Sequence, residues 1–142
     1  MIVLDTDVLS GVIKAEKDHE VIAWLDEQNP EELCTTAITI LEIWTGIEEL
    51  PAGRRRNALE ISLGIALGGL LSNRVLPFDS ASAEESGHLY GIRRRAGRTI
   101  AQPDTQIAGI VRTRGATLAT RNVRDFADAG IPLINPWNVI RP

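Results

Sequence analysis

Cysteine, histidine and lysine are scarce in this chain, and each shortage removes a class of chemistry. Cys34 is the single cysteine, so no disulfide can form within the chain. With only His19 and His88 beside it, there is no Cys/His set for a structural zinc. A reducing, cytoplasmic setting fits that usage. The two lysines, Lys14 and Lys17, lie near the N-terminus, so a mechanism that needs a later lysine has none to use. Long apolar runs are also missing. The longest, residues 61 to 72, is interrupted by Ser62, Gly64, Gly68 and Gly69, and Met1 leads straight into an apolar strand with no basic segment before it. Neither a membrane span nor a signal peptide is expected.

What is present describes an ordinary folded domain. At 142 residues, with 44% hydrophobic and 24% charged residues, the chain can build a two-sided core, and residues 1–142 are read as one domain. A net charge of −4 argues against a protein that coats nucleic acid through its overall field. Of the 15 basic residues 13 are arginines, whose planar forks suit phosphate and carboxylate contacts.

Apolar periodicity alternates between strand and helix. Residues 2–4 form a short β-branched run ending at Asp5 and read as a strand buried on both faces, with a helix close behind. The spacing of Val21, Ile22, Trp24 and Leu25 predicts a helix over residues 18–28, stopped by Asn29-Pro30. A second strand follows at residues 33–35, then a helix from Thr36 closed by Pro51, where length outweighs several β-branched residues. A helix over residues 54–72 carries more apolar surface than one face of a small sheet can cover, so part of it is expected to face another subunit. Residues 75–78 read as a third strand. The helix after it, to about Ala96, has Ser82 and Glu85 spaced as a capping box, with Asp79 read as a cap beside its serines. Pro103-Asp104 begins a helix that Gly115 ends near Arg114. Strands over residues 116–120 and 132–134 flank a short helical turn at residues 123–127. Such alternation predicts a three-layer α/β/α domain with a five-stranded parallel sheet, whose ligands gather beyond the carboxyl ends of the strands.

Several acids stand where that rim would be. Asp5 ends a buried strand, where a carboxylate is costly unless it caps a helix or binds a cation; both readings are open. Glu42 sits in a helix among Ile38, Ile40, Leu41, Ile43 and Trp44; its alternative is a solvent stripe with Thr35, Thr39, Thr45 and Glu49. Asp104 opens a helix, where the dipole alone favours an acid. Thr120, Arg121, Asn122, Arg124 and Asp125 follow the fourth strand with a hydroxyl, an amide, a carboxylate and two arginines. In that cluster Asp125 is a candidate ligand, Thr120 a group that orients one, and Arg121 and Arg124 phosphate contacts. Oxygen donors without histidine or cysteine suit Mg²⁺ or Mn²⁺, and metal-activated attack of water on a phosphodiester is chemistry such a site performs well. The arginine stretches at residues 54–56 and 93–95 read as solvated faces.

Four motifs in this order, MIVLDTDVLS, TTAITILEIWTGI, AQPDTQIAGI and LATRNVRDF followed by INPW, resemble the PIN-domain ribonuclease toxins of the VapC type, near the FitB-like branch. The resemblance spans nearly the whole chain. It implies the five-stranded parallel sheet, Mg²⁺-dependent cleavage of RNA, a homodimer and neutralisation by a cognate antitoxin protein. By the same match the metal-binding acids fall on Asp5, Glu42 and Asp104. A fourth acid position falls on Asn122, an amide here, so that ligand is weakened or its role passes to Asp125. Asp7 stands where the family commonly has asparagine. The motif LDTDVL also resembles the start of haloacid-dehalogenase-like phosphatases, and early acids occur in response-regulator receivers, but both need a later lysine. A PIN-like binding module that acts only through a protein partner is the alternative of a different class.

Overall fold

In the computed structural model, which describes residues 1–140, the strands are β1 (Ile2–Leu4), β2 (Leu33–Thr36), β3 (Val75–Leu76), β4 (Thr117–Ala119) and β5 (Leu133–Ile134). They form one sheet in the order β3-β2-β1-β4-β5, with every neighbouring pair parallel. The helices are α1 (Thr6–Ile13), α2 (His19–Asp26), α3 (Ala37–Glu48), α4 (Arg54–Ile65), α5 (Ser80–Arg95), α6 (Gln102–Arg114) and α7 (Val123–Phe126). Successive strand side chains point to opposite faces, and two cores result. On one face Leu4, Leu33 and Ala119 pack with Val8, Leu9, Trp24, Ile43 and Leu63 from the first four helices. On the other, Val3, Cys34, Leu76 and Leu118 pack with Leu89, Ile107, Ile110 and Phe126. The three-layer α/β/α architecture with a five-stranded parallel sheet is thus the one the alternation predicts.

Chain order explains where the site lies. The first three strands step outward from β1 on one side, and the chain then returns to place β4 and β5 on the other, so the topology switches between β1 and β4. Adjacent carboxyl ends at a switch point leave a crevice that no crossover covers. Registers Ile2↔Thr117 and Leu4↔Ala119 bring the residues after these two strands, Asp5 and Thr120, side by side.

Local chemistry sets the helix ends. Thr36 caps α3 by accepting from the Thr39 N–H at 3.0 Å, and Asp18 caps α2 by accepting from Glu20 and Val21. Gly115 ends α6 in the left-handed region at φ 59°, which a side chain would disfavour. Two expectations are corrected. The helix expected over residues 54–72 is α-helical only to Ile65 and continues as a π-helical turn, Ala66–Leu70, through its paired glycines. The capping box at Ser82 and Glu85 does not form. Asp79 is the cap of α5, accepting from the Ser82 N–H at 2.9 Å, while Glu85 pairs with Arg112 at 3.0 Å. The physical reason is that Asp79, one residue before the helix, reaches the free N–H groups that Ser82, already inside it, cannot.

Helices α5 and α6 touch closely through small residues. A β-carbon at Gly109 would lie 1.9 Å from the Ser86 Oγ and 2.7 Å from the Ser82 carbonyl oxygen, so only glycine fits there. Gly109→Ala should therefore force the two helices apart and lower stability by about 1–3 kcal/mol, measurable as a shift in the urea midpoint. An unchanged midpoint would mean that the pair is not packed this tightly.

Candidate active site: an acidic cleft at the sheet switch point

Asp5 is the anchor of the cleft. Its backbone N–H continues the sheet by donating to the Ala119 carbonyl at 2.9 Å, and its side chain is only 3% exposed. One carboxylate oxygen accepts from the Thr6 N–H at 2.8 Å, capping α1. The other accepts from the Thr120 hydroxyl at 2.6 Å. Thr120 is itself held, its oxygen accepting from the Asn122 N–H at 3.0 Å. The cap and the site readings of Asp5 are therefore compatible, because α1 uses only one oxygen.

Glu42 reaches the same place from α3. Its Oε1 accepts from the Thr6 hydroxyl at 2.7 Å, so Thr6 links the two carboxylates through its N–H and its O–H. Of the residues in the alternative solvent stripe, Thr35 and Thr39 are fully buried while Thr45 and Glu49 are exposed, and Glu42 lies half-buried between them. Thr35 donates to the Leu4 carbonyl at 2.8 Å and locks β2 to the end of β1. Asp7, in the first turn of α1, accepts from the Val8 N–H and, at 3.2 Å, from the Arg121 N–H across the crevice.

Asp104 enters from the first turn of α6, and it feels the negative charges of Glu42, Asp125 and Asp7. Desolvation and these neighbours raise its pKa from 3.8 to about 6. Burial raises that of Asp5 to about 7, with the charges of Asp7 and Asp104 adding to it and the Thr120 and Thr6 bonds opposing it. Asp7 is pushed upward by burial too. Carboxylates that disfavour each other's ionisation are ones whose charged forms a nearby positive charge would favour. The donor set is oxygen only, which fits a hard cation. Among the described residues no three acids stand close enough to enclose an ion already; the carboxylates are held by hydroxyls and N–H groups instead. Asn122 and Arg124 are exposed, Asp125 is half-buried, and the Asn122 side chain caps nothing.

Arg93 was expected on a solvated face and is instead 2% exposed. It donates to the Thr105 hydroxyl at 2.7 Å, to the Asp125 carbonyl at 2.5 Å and to the Asp128 carboxylate at 2.9 Å. One guanidinium thus ties α5 to the residue after Asp104 and to the backbone of Asp125, and its charge eases the ionisation of Asp104. The sequence held a signal for it: Ser82, Ser86, Leu89 and Arg93 recur at helical spacing along the buried face of α5. Arg56 is likewise engaged, with Glu48 at 2.6 Å and Glu60 at 3.4 Å.

The sequence pattern that defines the PIN domain matches residues 2–132. The chain belongs to the PIN-domain family. Among PIN-domain relatives, it is 39% identical over 137 residues to the VapC ribonuclease Y4jK of Sinorhizobium fredii, covering 96% of this chain and 98% of that protein. Toxin FitB of Neisseria gonorrhoeae is 33% identical over 138 residues, 97% of this chain and 99% of the toxin. The crystal structure of FitAcB from the same organism superposes with a TM-score of 0.87 at 32% identity, covering 98% of this chain and 100% of that one. The VapC and FitB group of PIN-domain toxins is therefore its place. Among the described residues no helix is long and apolar enough to cross a membrane.

The raised pKa values make a sign-definite prediction. A carboxyl group that binds its proton more tightly folded than unfolded favours the fold at low pH and opposes it once ionised, so stability falls as pH rises from about 4 toward 7. In metal-free buffer the thermal midpoint of the wild type should drop across that window, and Asp5→Asn should flatten the drop. A wild-type midpoint that climbs steadily from pH 4 to 7 would contradict the burial of an uncompensated carboxylate.

Proposed function

We propose that this PIN-domain protein is a Mg²⁺- or Mn²⁺-dependent endoribonuclease, the toxin half of a toxin–antitoxin pair acting in the cytoplasm. The observation that carries this reading is the linking of Asp5 and Glu42 through Thr6 at the switch point of the sheet, with Asp104 near enough for its charge to be felt by Asp5 and for that of Glu42 to be felt by it. Asp5, Glu42 and Asp104 would hold the cation. Asp125, whose charge Asp104 feels, is better supported than Asn122 to complete the set. A bound divalent cation supplies an acidified water and neutralises charge on the phosphodiester oxygens. Everything else falls to the chain. Thr120 and Thr6 fix the lone pairs of Asp5 and Glu42. Asp104 and Asp5, reluctant to ionise together, give up protons more readily when positive charge enters the cleft. Arg121 and Arg124, exposed at its rim, meet the RNA backbone.

Partner surfaces fit the same reading. The groove between α2 and α4, lined by Ile13, Lys17, His19, Arg55, Leu59 and Ser62, offers an apolar floor with charged edges to an antitoxin segment. The relative FitB is named a toxin, and a chain 31% identical to this one belongs to the structure of FitAB bound to a DNA fragment, which supports a partner protein. Leu41 and Trp44 of α3, with Ile61 and Ile65 of α4, are exposed, and a homodimer would cover such apolar surface. Light scattering on the free protein should give twice the mass of one chain, and Leu41→Glu with Ile65→Glu should give a monomer.

Asp5→Asn should lower RNA cleavage by about 100-fold or more while leaving the circular dichroism unchanged and the protein no less stable at pH 8. Full cleavage by that variant at ordinary Mg²⁺ would reject the assignment. Wild-type protein that binds Mn²⁺ yet leaves a panel of RNAs intact would favour a PIN-like binding module that works through its partner alone.

A further inference from the structure

The segment INPW lies outside the acidic cleft, yet it reaches the cleft through one side chain. The guanidinium carbon of Arg121 sits 4.7 Å from the centroid of the Trp137 ring. The ring is held from two sides. The backbone N–H of Trp137 donates to Asn135 Oδ1 at 3.0 Å, and its indole N–H donates to Asp18 Oδ2 at 2.9 Å. Asp18 is fixed in turn, because its other oxygen caps α2 through Glu20 and Val21 and its N–H donates to the Gly11 carbonyl at 2.9 Å. At the far end of the chain of contacts, the Arg121 backbone N–H donates to Asp7, and the Arg121 charge favours ionised Asp7.

An arginine beside several carboxylates ordinarily folds onto one of them and is neutralised there. Among the described residues Arg121 makes no salt bridge, although Asp7 is near. Stacking on an indole gives the guanidinium a resting place that leaves its N–H edges unspent, since the π face attracts the cation without consuming donors. The edges then remain available to an anion. We propose that Trp137, fixed by Asp18, is a positioning residue that holds Arg121 at the mouth of the cleft to meet a backbone phosphate of RNA. This rests on the nuclease reading and assigns a role to two residues, Trp137 and Asp18, that make no hydrogen bond to the acids of the cleft among the described residues.

The test is a double-mutant cycle on the full chain, with a fluorescein-labelled oligouridylate as probe. Binding is followed by anisotropy with Ca²⁺ in place of Mg²⁺ over a series of NaCl concentrations, and cleavage of the same RNA is followed with Mg²⁺. Trp137→Leu should weaken RNA binding by about two- to fivefold, as loss of an exposed cation–π contact would. The loss should appear in KM with kcat held. Trp137→Phe, which keeps an aromatic face, should recover part of it. Asp18→Asn retains the helix cap but turns a donor toward the indole N–H, and it should reproduce part of the Trp137→Leu loss in binding with kcat held. Arg121→Ala should shrink the salt slope by about 0.7, the value for one phosphate contact on a single strand, and adding Trp137→Leu to it should change nothing more.

A Trp137→Leu protein that binds and cuts like wild type would overturn the inference, as would a loss that adds in full to that of Arg121→Ala, since a merely structural role predicts additivity. In either case cleavage by the wild type leaves the nuclease reading intact. Wild-type protein that neither holds nor cuts the RNA would overturn both.

Discussion

A carboxylate buried at the end of a strand is the constraint around which this molecule is arranged. Among the described residues Asp5 has no cationic partner within ion-pair distance; its two oxygens are taken by one backbone N–H and one threonine hydroxyl. Neutral donors of that kind offset only part of the desolvation, which is why its pKa stays near 7. The fold supplies what holds it in place: β1 is central, flanked by β2 and β4, and both cores press on it. Stability carried by that packing, at roughly 25 cal/mol per Å² of apolar area buried, can carry one unfavourable charge where the chemistry needs it.

Threonine hydroxyls do more positioning here than charges do. Thr6 joins Asp5 to Glu42, Thr120 joins Asp5 to the loop of Asn122, and Thr35 ties β2 to β1. Each is a short, β-branched side chain with few rotamers, so the carboxylates it holds lose little further freedom when they act. The second half of the cleft is built differently. Asp104 and Asp125 belong to α6 and to the α7 turn, and Arg93 gathers the two from within α5. A buried guanidinium with a carboxylate, a hydroxyl and a carbonyl around it has one arrangement that satisfies it, and so it sets the spacing of what surrounds it.

Membership of the PIN-domain family, with relatives matched over nearly their full length, accords with the sheet order. By the resemblance of the motifs, Asn122 stands at the position of a fourth acid and Asp7 at that of an asparagine. In the structure Asn122 contributes its backbone to Thr120 rather than its amide to the cleft, while Asp7 holds the Arg121 backbone. A negative charge at position 7 therefore shapes the arginine loop as well as the field of the acids. The same loop carries Arg121 onto Trp137, so a departure in α1 and a tryptophan near the end of the chain bear on one side chain.

The sequence by itself determined the order of elements, because period-2 and period-3.6 patterns, with Asn29-Pro30, Pro51 and Gly115 as stops, depend only on neighbours in the chain. It also determined which acids were worth watching, since a carboxylate after a buried strand or among isoleucines is conspicuous on composition alone. Where local signals competed, tertiary structure decided. Apolar continuity past Ile65 concealed a π turn. The arginine run at residues 93–95 is uniform in charge, yet the turn of α5 that puts Arg93 in line with Ser82, Ser86 and Leu89 sends it inward against α6 and leaves its two neighbours outside. Contacts such as Thr120 with Asp5, or Trp137 with Asp18, join residues more than a hundred positions apart. No local pattern encodes them; they exist only because the sheet reverses its order between β1 and β4 and brings both ends of the chain to one edge.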